Sequence, residues 1–197
     1  MKQGKHFNVF ILAAISLLLM TSCASTKLYS VLRDESYSGK IKKVFIIGAS
    51  NKPDIRRKFE HEFVNQLKSR GVDAVASNQL IPSDKMLDKE TIVSKIKALD
   101  IDAVLVTKLV KKKKVLQEIG HSSWYNNYSG GYTTQTYTDE LVSLETNLYE
   151  VWTEKLIWSV LSETYLMEER NRYRIMKALV KVIVKKLSEE KFIKTGK

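Results

Sequence analysis

The chain has 197 residues and a formal net charge of +11 at pH 7, from 33 Lys and Arg against 22 Asp and Glu. This length suffices for one domain with a genuine hydrophobic core, and the single cysteine, Cys23, excludes a disulfide framework within the chain. The basic charge favours anionic partners, such as anionic lipid, lipopolysaccharide, an acidic polymer or nucleic acid.

The first 22 residues have the pattern of an export signal. Lys2 and Lys5 precede a run from Phe7 to Met20 that is apolar except for Asn8 and Ser16. As a helix this run would cover about 21 Å, which is less than the ~30 Å hydrocarbon core of a membrane. A basic flank, a short apolar run and small closing residues are typical of a cleaved secretory signal peptide. Cleavage would remove both lysines and leave 175 residues with a charge of +9.

The segment ends in Leu19-Met20-Thr21-Ser22-Cys23. This sequence resembles the lipobox of bacterial lipoproteins, although Met20 stands where Leu or Val is more usual. The resemblance implies that the Cys23 thiol receives a diacylglycerol and becomes the first residue of a mature chain carrying fatty acyl groups such as palmitate. Two or more acyl chains make a lasting membrane anchor. The alternative is a plain secreted protein with an incidental cysteine.

Ala24, and not Asp, follows the cysteine. By the same resemblance, this implies an outer-membrane lipoprotein whose domain faces the periplasm. Export in turn argues against nucleic acid as the physiological partner. Cys23 is the only membrane attachment that we predict.

A polar segment and one folded domain follow the anchor. Residues 23–39 are small, polar and mixed in charge, which predicts a lipidated tether, although Leu28–Leu32 is compatible with a short edge strand. The predicted elements are strands at 42–48, 72–76, 103–114, 141–151 and 156–161, and helices at about 53–70, 88–99 and 173–187. Residues 40–197 are therefore predicted to form a single α/β domain. Its mixed sheet of about five strands opens with β-α-β-α-β and ends in β-hairpins plus a C-terminal helix, with the helices packed on the sheet.

The first helix is predicted to be amphipathic. Ile55, Phe59, Phe63 and Leu67 repeat every four residues and form one apolar stripe. Ser50 or Asn51 is predicted to cap its N-terminus, and Pro53 suits the first turn. The charged residues are assigned to the solvated surface: Arg56, Arg57, Lys58, Glu60, Glu62 and Lys68.

Lysines follow the buried part of the strand that begins at Ala103. Lys108 is succeeded by four consecutive lysines at 111–114. Because side chains alternate between the two faces of a strand, such a run carries charge on both faces and must project into solvent as an arm. We interpret Lys111 and Lys113 as contacts to a partner; alternatively, the run only prevents the strand from pairing with the edge of another chain.

The return strand of this arm is predicted to begin near Leu141. Val142, Leu144, Thr146 and Leu148 then share one face. The acidic residues predicted to lie opposite the lysines are Asp139, Glu140 and Glu145.

Residues 121–138 join the two arm strands and are rich in Tyr, Trp, Ser, Gly and Thr. Lacking aliphatic side chains, this segment cannot build its own core, and it is predicted to be a mobile hairpin tip. Amphipathic aromatic rings suit glycans, protein surfaces and lipid headgroups. The predicted partner contacts are Trp124, Tyr125, Tyr128 and Tyr132, the alternative being a decoration without a dedicated partner.

Patterns for catalysis or cofactor binding are weak. His61 lies between two glutamates on a helix, where neighbouring side chains point in different directions, so a solvated surface is the preferred interpretation. Residues 48–51 occupy the position of a phosphate loop but contain one glycine, which favours a simple turn. We predict no catalytic residues, no metal, no cofactor and no enzymatic activity.

Several runs resemble a family of uncharacterised bacterial lipoproteins. They are Lys43–Gly48, Arg56–Phe63, Asp102–Thr107, Leu144–Tyr149 and Lys155–Ser159, with a Tyr/Gly-rich insertion before the fourth run. The resemblance implies an envelope lipoprotein with a compact α/β domain, and it transfers no activity. The sequence therefore predicts a membrane-anchored interaction or assembly protein that contacts an envelope protein or polymer. The alternative is a periplasmic lipoprotein that binds a small ligand or a polyanion.

Overall fold

The computed structural model describes residues 26–50, 52–81, 89–96, 98–121, 133–166 and 172–194. Within these ranges the strands are β1 (Lys27–Arg33), β2 (Lys43–Ala49), β3 (Asp73–Ala76), β4 (Ala103–His121), β5 (Thr133–Glu150) and β6 (Leu156–Leu166). The α-helices are α1 (Pro53–Lys68), α2 (Lys89–Ile96) and α3 (Arg172–Glu189), and a 3-10 turn lies at Ser77–Gln79.

The strands form one mixed sheet in the order β1-β6-β5-β4-β2-β3. Strand β2 runs parallel to β3 and β4, whereas β4, β5, β6 and β1 pair antiparallel. The predicted α/β class is confirmed, with six strands rather than about five. The additional strand is β1, so the edge strand expected around Leu28–Leu32 is confirmed and this part of the predicted tether lies in the sheet.

The sheet is covered by helices on both faces. Val44 and Ile46 of β2 pack on one face with the buried residues of α1 and α3, while Phe45 and Ile47 pack on the other face with Ile96 of α2. All four β2 side chains are at most 4% exposed. A continuous run of β-branched and aromatic residues is what a strand buried on both faces requires.

Helix α3 buries one apolar stripe against the sheet. The side chains that are at most 2% exposed are Leu179, Val180, Ile183, Val184 and Leu187. Among the described residues, no helix is long and apolar enough to cross a membrane.

Helix α1 departs from its predicted pattern. Phe59, Phe63 and Leu67 are buried as predicted. Ile55 is 42% exposed, so the prediction that it belongs to the buried stripe is wrong. Arg56 and Glu60, which were assigned to the solvated surface, are 3% and 0% exposed. Glu62 is likewise buried, because the N-terminus of α3 packs beside it and the Tyr173 hydroxyl donates to its carboxylate over 3.3 Å.

The ends of α1 also differ in part from the prediction. Its N-cap is Lys52, and no side chain caps the helix. The prediction that Ser50 caps it is therefore wrong. The other expected cap, Asn51, lies outside the described residues. Pro53 stands in the first turn as predicted, and Gly71 after the helix has φ +73°, the left-handed conformation that glycine adopts without strain.

Candidate functional site

The predicted contact residues fall into two groups. Cys23 and the aromatic residues Trp124, Tyr125, Tyr128 and Tyr132 lie outside the described residues, so these predictions stay predictions. Lys111 and Lys113 are in β4, and both are exposed. The candidate site that the structure describes is therefore the stretch 108–114 of β4, which we call the lysine arm.

The lysine arm begins where β4 loses one of its neighbours. Strand β2 pairs with β4 only as far as Ala49 opposite Lys108, while β5 continues alongside β4 to His121. Leu109 pairs with Leu144 and Lys111 with Ser143, so the intervening Val110 has no partner in the register. In the described part of the chain, β4 beyond Lys108 therefore has one edge without a strand partner.

One face of the arm carries Lys108, Lys111 and Lys113. Cross-strand pairing places Lys111 beside Ser143 and Lys113 beside Leu141 on this face. The Lys108 ammonium lies 3.0 Å from the Glu145 carboxylate. A second carboxylate, that of Glu163, accepts a hydrogen bond from the Ser143 hydroxyl over 3.1 Å on the same face.

The opposite face carries Lys112 and Lys114. The Lys112 ammonium lies 2.9 Å from Glu140, and the guanidinium of Arg172, at the start of α3, lies 3.5 Å from the other oxygen of that carboxylate. The prediction that acidic residues lie opposite the lysines is thus confirmed for Glu140 and Glu145. Among the side chains that the structure describes, no carboxylate forms an ion pair with Lys111, Lys113 or Lys114.

Both partner glutamates have lowered pKa values. For Glu140 the main cause is the hydrogen bond from Lys112, assisted by the charges of Lys112, Arg172 and Lys114. For Glu145 the hydrogen bond from the Asn147 amide is the largest cause and that from Lys108 the next. Both carboxylates therefore stay ionised to lower pH than usual, and they offset only part of the positive charge of the arm.

Replacing Glu140 with Gln is expected to destabilise the protein by up to about 1 kcal/mol at pH 7, because this partly exposed ion pair is screened by solvent. A carboxyl group whose pKa is lower in the folded than in the unfolded state stabilises the fold above its ordinary value of 4.5. That contribution disappears as pH falls through the lower folded value. Urea midpoints at pH 7 and pH 3 measure the difference, and Glu90→Gln, at an exposed position of α2, is the control. A difference between Glu140→Gln and the parent that is as large at pH 3 as at pH 7 contradicts this account.

A second cluster of polar side chains lies buried at the end of β2. The Glu60 carboxylate accepts from the Gly48 N–H over 3.0 Å and from the Arg56 guanidinium over 3.0 Å. It also accepts from the Ser77 hydroxyl over 2.6 Å and from the Asn78 backbone N–H over 2.8 Å. Helix α1, strand β2 and the 3-10 turn are therefore joined at one carboxylate.

This cluster uses a backbone N–H group of the turn after β2. A phosphate loop would direct backbone N–H groups of this turn to a ligand, but the Gly48 N–H already donates to Glu60. Sequence analysis missed the cluster. The available signal was the i, i+4 spacing of Arg56 and Glu60 on the side of α1 that also carries Phe59 and Phe63.

His61 is exposed, as predicted, on the outer side of α1. It borders a hollow of about 410 Å³ between α1 and the start of α3. The hollow is lined by Arg57, Lys58, His61, Glu62, Asn65 and Tyr173. In the described residues no group of three or more His, Cys, Asp or Glu side chains is placed to hold a metal ion.

Comparison with known proteins gives weak structural likenesses. No family model and no curated protein matches the chain. Similar solved structures include the PelC dodecamer from Paraburkholderia phytofirmans, with TM-score 0.49 and 12% identity over 81% of this chain and 94% of that one. The lipoprotein GNA1162 from Neisseria meningitidis has TM-score 0.44 and 11% identity over 75% of this chain and 98% of that one. At TM-scores below 0.5 these likenesses do not identify a function for the chain.

Proposed function

We propose that the protein is a bacterial envelope lipoprotein, held by acyl chains on Cys23, which uses the lysine arm to contact an anionic component of the envelope. The anchor is supported by the lipobox-like sequence Leu19–Cys23 behind a basic and apolar leader. The proposed location is the outer membrane with the domain in the periplasm, and the proposal includes no enzymatic activity.

The observation that carries the proposed contact surface is the charge of the arm. Of the five lysines at 108 and 111–114, two form ion pairs with described carboxylates, Lys108 with Glu145 and Lys112 with Glu140. All five lysines are exposed, and they occupy both faces of a strand whose far edge has no partner in the described chain. A surface of this kind attracts anionic partners and orients their approach.

The hollow beside α1 supports a second candidate function, the binding of a small anionic ligand. Arg57, Lys58 and His61 border it, and two of its polar groups already bond elsewhere. The Arg57 guanidinium lies 3.1 Å from Asp54, and Glu62 accepts from the Gln66 amide over 2.9 Å. Lys58→Ala with His61→Ala should abolish the binding of such a ligand without changing membrane attachment.

Replacing Cys23 with Ser is expected to move the protein from the membrane fraction to the soluble fraction, because a hydroxyl replaces the thiol that receives the lipid. Intact-mass spectrometry of the parent should show an acylated Cys23 as the first residue, and fractionation of both forms should show the shift. Ser22→Ala, a change at a neighbouring position that retains the thiol, is the control. A parent chain that retains residues 1–22 and carries no acyl mass would refute the anchor.

A further inference from the structure

The start of the folded domain and the lysine arm lie at the same end of the sheet. The hydroxyl of Thr26, the first described residue, lies 3.2 Å from that of Thr164. Thr164 pairs with Val142, and Val142 pairs with Lys112. Thr26 and Lys112 therefore belong to one row across four strands, about 14 Å apart at the usual strand spacing.

The N-terminal end of β1 also points in the direction in which the arm runs. Strands β1, β6, β5 and β4 pair antiparallel in succession, so β1 runs opposite to β4. Going back along β1 from Arg33 to Lys27 therefore leads in the direction in which β4 advances from Lys111 to Lys114.

The distance to the anchor is short whatever path residues 24 and 25 take. Three residues span at most about 11 Å, so Cys23 lies within that distance of Thr26. Lys113 and Lys114 lie about 3 Å and 7 Å beyond the row of Thr26 in the same direction. Strand β4 then continues for seven residues to His121, which adds about 23 Å and exceeds the reach of the tether.

We propose that the lysine arm binds the anionic headgroups of the leaflet that holds the acyl chains of Cys23. This inference rests on the proposed function and names the partner of the same surface. Because β4 extends further than the tether can reach, β4 cannot point straight into the leaflet; in the proposed arrangement it lies along the membrane surface, with the arm against the headgroups. The headgroup layer is about 5–8 Å thick on each side, which is enough to accommodate the lysine side chains of an arm that lies along it.

Charge decides which part of the leaflet the arm binds. Three lysines of the arm have no carboxylate partner among the described side chains: Lys111 and Lys113 on one face and Lys114 on the other. A basic cluster beside a membrane binds anionic lipid. Each lysine close to an anionic surface raises the population of the bound state about fivefold. The domain then has two attachments, acyl chains and lysines, which together fix its orientation on the leaflet.

The test uses the full lipidated protein in vesicles. Because Cys23 is the only cysteine and its thiol is acylated, Lys113→Cys introduces a single site for a fluorophore. Lys181→Cys, on the exposed side of α3, is the matched control. Each labelled protein is reconstituted in vesicles of phosphatidylglycerol and phosphatidylcholine that carry a nitroxide on a fraction of the headgroups, and then in the same vesicles without phosphatidylglycerol.

We expect quenching of the label at 113 and little quenching at 181, with the quenching at 113 reduced when phosphatidylglycerol is absent. Adding Lys111→Glu and Lys114→Glu should lower the contact equilibrium on the order of 25-fold and abolish this quenching.

Equal quenching at 113 and 181, or quenching at 113 that survives both charge reversals, overturns the inference while leaving the anchor intact. Crosslinking of position 113 to a protein in native envelopes, without quenching in vesicles, also overturns it. Failure of the parent to float with vesicles, or a missing acyl mass on Cys23, overturns the proposed anchor and the inference together.

Discussion

Replacing Glu60 with Gln is expected to lower the free energy of unfolding by about 3–5 kcal/mol, because removing one member of a buried ion pair leaves the other charged and unpaired. Arg56 is 3% exposed, so water cannot replace the hydrogen bond that its guanidinium donates to Glu60. The new amide group would also point a donor at groups that donate, among them the N–H groups of Gly48 and Asn78. With a total stability of 5–15 kcal/mol typical of such domains, this loss is large.

Urea unfolding followed by circular dichroism measures the effect, using the chain without residues 1–22 and with Cys23→Ser. The matched control is Asp54→Asn on the same helix, whose carboxylate is 81% exposed and lies 3.1 Å from Arg57. An exposed pair of this kind contributes about 0–1 kcal/mol. Equal losses for Glu60→Gln and Asp54→Asn would show that the buried cluster does not stabilise the fold.

Replacing Phe63 with Ala is expected to lower the free energy of unfolding by about 3–5 kcal/mol, because it removes a large side chain from a filled core and leaves a cavity. Phe63 is 0% exposed, and its ring packs edge-on against Phe59 with centroids 5.1 Å apart. The same urea measurement, compared with the parent, gives the loss.

The control for Phe63 is Ile55→Ala, two turns earlier in α1. Both residues belong to the stripe that the sequence predicts, but Ile55 is 42% exposed. A surface substitution usually changes stability by no more than about 0.5 kcal/mol. If the two substitutions cost the same, either Ile55 is buried in solution or Phe63 is not.

The two clusters have different roles. Glu60 and Arg56 lie at the junction of α1, β2 and the 3-10 turn, where they hold the elements of the domain together. The lysine arm occupies the middle of β4 and begins at Lys108, where the pairing of β4 with β2 ends. Substitutions at Lys111 and Lys114 should therefore change membrane contact while leaving the urea midpoint close to that of the parent.

Local patterns suffice to predict most of the elements. The apolar run Val44–Ile47 predicts a strand buried on both faces, since only a strand between two helical layers accommodates consecutive apolar side chains. The four lysines at 111–114 predict an exposed arm, since alternation leaves them no buried face. In both cases the decisive property is carried by neighbouring residues, so no knowledge of distant partners is needed.

Distant partners account for the parts that were not predicted. The charge of Glu60 indicated a solvated surface, yet Ser77 and Asn78, 17 and 18 residues away, supply the donors that make its burial favourable. Glu62 is buried because Tyr173, 111 residues away, packs beside it. Ile55 is 42% exposed although the apolar stripe includes it in the sequence, whereas the neighbouring Arg56 is buried.

The common end of the tether and the lysine arm depends in the same way on long-range pairing. Thr26 and Lys112 are far apart in the sequence, and only the strand order β1-β6-β5-β4 brings them into one row. Strand order depends on which edges pair, and that is settled by contacts along whole strands rather than by the residues at either position. Local patterns therefore predict a basic arm and a lipid anchor separately, and only the fold places the start of the described chain, at Thr26, on the same side as the arm.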